Sequence, residues 1–356
     1  ICPSGKKYGF NSYYSRGRLD IAKALLDGNI DWKDRSLQDP ISTCLGCGAC
    51  HEACYPQMGI STREILRTLK SERVSRGYGP PPVFNDVLKA LQETDNYFGG
   101  DPKKRMAWAE GIKVKKYDTD SDVLFYVGCY GAFDDVTLFI ARATANLLNK
   151  TGVNWGVLED EEFCCGYPAL DVGCGDEFKR LAKKSIEKMK DAGVKTLIVS
   201  CACCFGTMKE DWQKVMPIDF EIVHSSQYLL QAFKAGNLQF NGRIEETMTF
   251  HDPCHLGRLG GGVYEAPREL LKAVPGVALK ERERNRDESW CCGAGGGVNV
   301  CFPDLALETA TDRLNEAAET GAGAMVIPSC PICYNNFSTV PAGKRKIEFR
   351  DLVQLI

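Results

Sequence analysis

Two kinds of apolar pattern recur along the chain, in the same order twice. Short apolar-rich runs, Val123-Leu124-Phe125-Tyr126-Val127, Thr196-Leu197-Ile198-Val199, Met248-Thr249-Phe250-His251 and Ala324-Met325-Val326-Ile327, have the form of buried strands. Stripes at helical spacing lie between them. These are Leu138, Ala141, Ala145 and Leu148, then Phe178, Leu181, Ala182 and Met189 ending at Gly193, and finally Leu307, Ala310, Leu314 and Ala317 ending near Gly321. Strands alternating with helices predict an α/β fold with a parallel sheet in each repeat. The helix that should follow the strand at Met248 is indistinct.

Upstream the pattern is helical. Leu19, Ala22, Leu25 and Leu26 form a stripe that follows Ser15-Arg16-Gly17-Arg18 and stops at Gly28. Residues 62–74 read as another helix, before Gly77-Tyr78-Gly79-Pro80-Pro81-Pro82 breaks regular structure. The mixed polar stretch from Gly99 to Asp122 reads as a linker, with Lys103-Lys104-Arg105 and Lys115-Lys116 as solvated charge runs. The expected division is a mostly helical, ferredoxin-like domain over 1–98, a linker over 99–122, and two α/β modules over 123–246 and 247–356.

Ten of the 18 cysteines follow this repeat. The first copy is Cys129, Cys164-Cys165-Gly166, then Cys201 and Cys204 as a CxxC; the second is Cys254, Cys291-Cys292-Gly293, then Cys330 and Cys333. The lone cysteine precedes the pair by 35 and 37 positions, and the pair precedes the CxxC by 36 and 38. Adjacent cysteines are poor disulfide partners, since a bridge needs about 5.5–6 Å between Cα atoms. A metal cluster bound twice is the simplest cause, and most of these thiols would emerge at carboxyl ends of strands, where α/β sheets bind ligands.

A different run, Cys44-x2-Cys47-x2-Cys50-x3-Cys54, has ferredoxin spacing for cubane [4Fe–4S] clusters. Cys2-Pro3 has the form of the end of an earlier run. Cys2, Cys44, Cys47 and Cys50 are therefore expected on one cubane, with Cys54 reaching a second whose other ligands lie upstream. Four cysteines around zinc is the competing reading. Proline follows Cys54 at one remove, which departs from the usual run. Arg16 and Arg18 would either neutralise cluster charge or start a solvated helix.

Composition narrows the class. The chain has 356 residues, 44% hydrophobic and 26% charged, with net charge −3, so nothing gives a basic footprint for nucleic acid. No apolar stretch reaches the ~18 residues of a membrane span, so a membrane role would need a partner subunit. Disulfide scaffolds are typically shorter than about 100 residues. The first residues carry no signal-peptide pattern, and a cytoplasmic location follows as the expectation.

These motifs, with His251-Asp252-Pro253-Cys254-His255-Leu256-Gly257-Arg258 and Cys291-Cys292-Gly293-Ala294-Gly295-Gly296-Gly297-Val298, resemble the D-type family of heterodisulfide reductase chains, which are iron–sulfur oxidoreductases. The resemblance covers essentially the whole chain. It implies two non-cubane [4Fe–4S] clusters, one on Cys129, Cys164, Cys165, Cys201 and Cys204 and one on Cys254, Cys291, Cys292, Cys330 and Cys333. It further implies disulfide reduction between them, fed by the N-terminal cubanes, with a membrane cytochrome b as first-choice partner at the inner face of the membrane. The alternative is an electron-transfer subunit serving a flavin dehydrogenase, electron-transfer flavoprotein or a class II benzoyl-CoA reductase complex. Cleaving a disulfide takes two electrons, so two clusters flanking one substrate make chemical sense of the repeat.

His255 is the candidate catalytic residue, placed to supply a proton to a leaving thiolate; an orienting role is the other reading. Cys174, Cys203 and Cys301 fall outside the five-thiol pattern and read as packing residues. The glycines from Gly293 to Gly297 are expected to allow close backbone approach, with N–H groups aimed at cluster sulfurs or substrate. His51, His224 and His251 have no assigned chemistry.

Overall fold

The computed structural model describes residues 2–240 and 242–356. Each repeat builds a four-stranded parallel sheet. The first consists of β1 (Val123–Tyr126), β2 (Trp155–Gly156), β3 (Thr196–Val199) and β4 (Glu221–His224), in the order β2-β1-β3-β4. The second consists of β5 (Glu246–Phe250), β6 (Val277–Leu279), β7 (Ala324–Ile327) and β8 (Glu348–Asp351), in the order β6-β5-β7-β8. The central strands are the four apolar runs. Phe125 pairs with Ile198 and Thr249 with Met325, all four fully buried.

This strand order explains where the cysteines go. From the two central strands of each sheet the chain crosses over in opposite directions, which leaves a crevice at their carboxyl ends. Cys129 follows β1 and Cys201 follows β3; Cys254 follows β5 and Cys330 follows β7. Each lone cysteine and each CxxC therefore opens at its sheet's switch point.

Helices cover the sheets where the stripes lie: Leu138–Thr151, Gly175–Asp191 and Pro303–Ala318. The indistinct helix of the second module is Glu265–Lys272. It has only eight residues, contains Pro267 and spends one buried position on Arg268, so its apolar stripe is short. The N-terminal helices Ser15–Leu26, Ala49–Met58 and Thr62–Ser75 pack above the modules. Leu25 is buried there, but Leu26 points to solvent and leaves the predicted stripe.

One expected charge run is not solvated. Arg105 is buried on a 3-10 helix over Pro102–Ala109 and pairs with buried Glu162. Glu162 also accepts from the backbone N–H groups of Val127 and Gly128, both at 2.9 Å. The pairing needs both partners, because a lone buried charge costs several kcal/mol. Arg105 thus ties the 99–122 segment to the loop that carries Cys129.

Candidate metal centres

Cys2, Cys44, Cys47 and Cys50 line one cavity of about 600 Å³. Short loops with left-handed glycines, Gly46 and Gly48, let the chain wrap it. Cys54 lies one turn further along the helix Ala49–Met58 and is absent from this lining. Four cations, Arg18, Arg63, Arg67 and Lys70, and one carboxylate, Asp171, line the cavity. Arg18 is buried, donates to Pro40 O and Ser4 Oγ, and places Nη1 3.6 Å from Cys2 Sγ. The Nε and Nη2 groups of Arg63 and Arg67 are buried and find no hydrogen-bond partner among the described residues. Arg63 and Arg67 share one carboxylate, Asp211, and four thiols facing these guanidinium groups fit an anionic iron–sulfur cluster. Arg16 is not part of this lining.

The ten repeat cysteines form one train of thiol contacts. In the first set Cys129 meets Cys164, Cys164 meets Cys165, and Cys204 meets both Cys165 and Cys201. In the second set Cys333 meets Cys330 and Cys292, and Cys291 meets Cys292 and Cys254. The sets adjoin where Cys330 meets Cys201. At that junction Ala202 N–H donates to Ser329 O across the modules, at 3.2 Å. Cys203, expected only to pack, touches both Cys201 and Cys330. The first set, with Cys203, lines a cavity of about 390 Å³ walled by Tyr97, Tyr126, Tyr130 and Tyr167.

The second set abuts the ferredoxin loop. The Cys291 sulfur meets Cys47 as well as Cys254, and Cys47 is held down to about 6 by its contact with Cys291, against burial and with help from Arg258. Cys254 is held well below the ordinary thiol range by Cys291, against burial, and by His255. Arg258 donates to Cys47 O at 2.9 Å. The glycine run makes its close approach here: a Cβ on Gly296 would lie 2.1 Å from Cys44 O, and one on Gly295 2.3 Å from Leu45 O. Of its N–H groups, Gly293 points at Cys291 Sγ (3.4 Å) and Gly296 donates to Asp171 Oδ2 (2.6 Å).

His255 is buried, with Nδ1 3.3 Å from Cys254 Sγ and its ring edge-on to Tyr167 at 4.7 Å. His251 is the histidine that sequence reading undervalued. Its ring nitrogen and the sulfurs of Cys292 and Cys333 lie within 4.8 Å of one another, a donor set that also suits a single zinc ion. His224 instead bonds Ser226 and Ser329 O, and His51 stacks on Tyr55.

A further cavity, of about 330 Å³, is lined by both modules. Tyr130, Tyr167 and Pro168 come from the first, Ala294, Gly297, Asn299 and Ile332 from the second, and Phe84 and Tyr97 from the N-terminal segment. Tyr97, Tyr130, Tyr167, Pro168 and Ile332 are shared with the wall of the first thiol set.

The Cysteine-rich domain (CCG) family profile matches residues 123–209 and 248–338. The D-type component of dihydromethanophenazine:CoB–CoM heterodisulfide reductase from Methanosarcina barkeri is 34% identical over 326 residues, covering 90% of this chain and 78% of that one. Its counterpart in Methanosarcina mazei is 36% identical over 305 residues, 84% and 72% of the two chains. The chain belongs to the heterodisulfide reductase D-type family. It is an iron–sulfur oxidoreductase of that type, and its relatives are subunits of larger redox complexes. A more distant relative, EtfAB:quinone oxidoreductase of Syntrophomonas wolfei, is 28% identical over 308 residues, 83% of this chain and 42% of that one. No helix among the described residues is long and apolar enough to cross a membrane.

For a heterodisulfide reductase D-type chain, the cysteine spacing gave the thiols but not their surroundings. Tyr97, Tyr130, Asp171 and Lys70 carried no sequence signal, because each serves a contact far along the chain. Lys70 Nζ, for example, donates to Cys44 O, Asp171 O and Gly296 O, joining the N-terminal domain to both modules.

Proposed function

We propose that this chain reduces a disulfide at the gap between its two CCG sites, with electrons delivered from the N-terminal side by a redox partner, a membrane cytochrome b at the inner membrane face being the first choice. The single observation that carries the reading is the junction of the two five-thiol sets at Cys201 and Cys330, where Cys201 lines a cavity that Ile332 of the second module also walls. Cys2, Cys44, Cys47 and Cys50 would hold a cubane and Cys54 would serve another. The two CCG sets would each hold a non-cubane cluster. Iron–sulfur clusters, when bound, supply electrons one at a time, and a disulfide needs two.

The chain's own residues do the rest. The tyrosine wall keeps water from the first set, since Tyr126 and Tyr167 are buried. His255, with Nδ1 3.3 Å from Cys254 Sγ, would supply a proton to a leaving thiolate. Arg258 and the glycine run keep the second set against the ferredoxin loop.

Cys254→Ser tests the reading. The cubane signals should persist while disulfide reduction falls by at least about 100-fold. Wild-type reduction of the physiological disulfide would refute it. The second reading, a pure electron relay, draws on the unbroken thiol train from Cys129 to Cys47. It forecasts that the variant blocks transfer between two protein partners with no disulfide involved.

A further inference from the structure

Equivalent positions of the two CCG modules place tyrosine beside one set of thiols and histidine beside the other. Three residues before the lone cysteine stand Tyr126 and His251; one residue after it stand Tyr130 and His255. In the first module both hydroxyls are spent away from sulfur. Tyr126 Oη donates to Phe163 O at 2.8 Å, and Tyr130 is hydrogen-bonded to Tyr97. In the second module both imidazoles meet thiols, His251 at Cys292 and His255 at Cys254. The main chain makes no such distinction: Tyr97 N–H points at Cys129 Sγ (3.5 Å) and Gly293 N–H at Cys291 Sγ (3.4 Å).

The His251 ring is buried, edge-on to Phe337 at 5.1 Å, and a neighbour decides where its proton sits. Arg313 Nε donates to His251 Nδ1 at 3.3 Å. A guanidinium can only donate, so Nδ1 is the acceptor and the ring N–H is on Nε2. Arg313 is itself held, by Glu316 Oε2 at 2.6 Å, Ser289 Oγ at 2.7 Å and Arg284 O at 3.2 Å. Nε2 is buried and has no hydrogen-bond partner among the described residues, which is costly for a donor. One ring nitrogen and the sulfurs of Cys292 and Cys333 lie within 4.8 Å of one another. Bound to iron, those sulfurs are thiolates and accept hydrogen bonds.

We propose that His251 donates a hydrogen bond to sulfur of the second five-thiol set, with Arg313 as its positioning residue, and so makes the second cluster easier to reduce than the first. The inference rests on the second set holding an iron–sulfur cluster, as read above, and not on the disulfide. A hydrogen bond to a cluster sulfur draws off negative charge and raises the reduction potential. The step is one electron added to the cluster, with no bond broken. The set that meets the ferredoxin loop through Cys291 and Cys47 then fills first, and the tyrosine-walled set takes the next electron.

The test is a redox titration of the cluster-loaded protein with dithionite and mediators, followed by EPR. The second cluster is assigned by its loss in Cys333→Ser. At fixed potential His251→Phe should lower the reduced-to-oxidised ratio of that cluster at least about tenfold, or about 59 mV for one electron, with iron and acid-labile sulfide unchanged. His251→Gln, whose amide keeps an N–H and an acceptor for Arg313, should stay within about threefold of the unaltered protein. Tyr126→Phe should move the first cluster by less than about twofold, since its hydroxyl serves Phe163 O. With 15N-labelled histidine, pulsed EPR of the unaltered protein should find a weak nitrogen coupling that His251→Gln loses. A strong coupling would make His251 an iron ligand and overturn the donor role, and so would no coupling at all. An intact second cluster that moves less than about threefold in His251→Phe would overturn the inference and leave the cluster reading standing. Zinc in place of iron at the second set would remove both.

Discussion

The two CCG modules share a strand order and five cysteines each, yet they face different neighbours. The first presents its thiols to a tyrosine-walled cavity and meets the ferredoxin loop through the side chain of Asp171, beside Gly46. The second packs its thiols against that loop, through Cys291 and Cys47, Arg258 and the glycine run. Two pairs of equivalent positions show how the surroundings part. Tyr126, bonded to Phe163 O, stands where the second module has His251 against Cys292. Ala202, which donates across the junction, stands where the second module has Pro331, which has no N–H to return the bond. A repeated fold supplies two similar sites, and different residues at equivalent positions divide their surroundings into an inner side and a ligand-facing side.

The largest expected effect comes from the loop after each cysteine pair. Three residues past the CCG glycine, the first module has Ala169 and the second has Gly296. Gly296 has φ +72°, and any Cβ there would strike Cys44 O at 2.1 Å. Gly296→Ala should therefore cost about 4 kcal/mol, combining left-handed strain with a backbone clash. Ala169→Gly, inside a helix, should cost about 1 kcal/mol. Denaturant unfolding of the two variants checks this, and equal losses would break the claim that the second loop, unlike the first, lays its backbone against the backbone of the ferredoxin loop.

Next in size is an opposed response to pH at the ends of two equivalent strands. His224 closes β4 and Asp351 closes β8; both are fully buried beside Ser329, and each caps the segment that follows. Burial lowers His224 to about 4 from 6.5. The unfolded chain then binds a proton that the native state refuses, so His224 contributes stability above pH 6.5 that is lost as pH falls toward 4. Burial raises Asp351 to about 7. Its contribution is full at low pH and is lost as pH rises through 7. The His224 shift is worth about 3 kcal/mol and the Asp351 shift about 4 kcal/mol. His224→Asn should flatten the acid side of the stability profile, and Asp351→Asn should raise stability at alkaline pH. Thermal melts across the range decide it, and profiles unchanged by either substitution would remove the asymmetry.

The legible part of the molecule was whatever repeats locally. Four central strands were readable because residues 123–126, 197–199, 248–250 and 324–327 are buried and mostly apolar. The outer strands were not: Trp155–Gly156 has two residues, and Glu348–Asp351 carries three charges on a sheet edge. The thiols were readable because their spacing repeats. Arg105 was misread as solvated because its partner, Glu162, is 57 residues away and nothing local marks the pair. His251 was undervalued for the same reason, since Cys292 reaches it only through the sheet.

The smallest effect, and the sharpest comparison, concerns the middle of the two CxxC segments. Cys203 stands at the position that Ile332 holds in the second module. Both are at the junction: Cys203 touches Cys201 and Cys330, and Ile332 lines the cavities on either side. If five thiols suffice for each site, Cys203 fills space, and the second module shows that isoleucine can do so at the same place. Cys203→Ile adds volume to a buried position, so it should lower stability by under about 1.5 kcal/mol while iron and acid-labile sulfide stay at the wild-type ratio. Ile332→Cys, the reciprocal change, removes apolar volume beside the gap and should cost a similar amount with no gain of iron. A fall in iron on Cys203→Ile, with the N-terminal cubane signal intact, would make Cys203 a sixth ligand of the first site. The modules would then differ in their metal chemistry as well as in their neighbours.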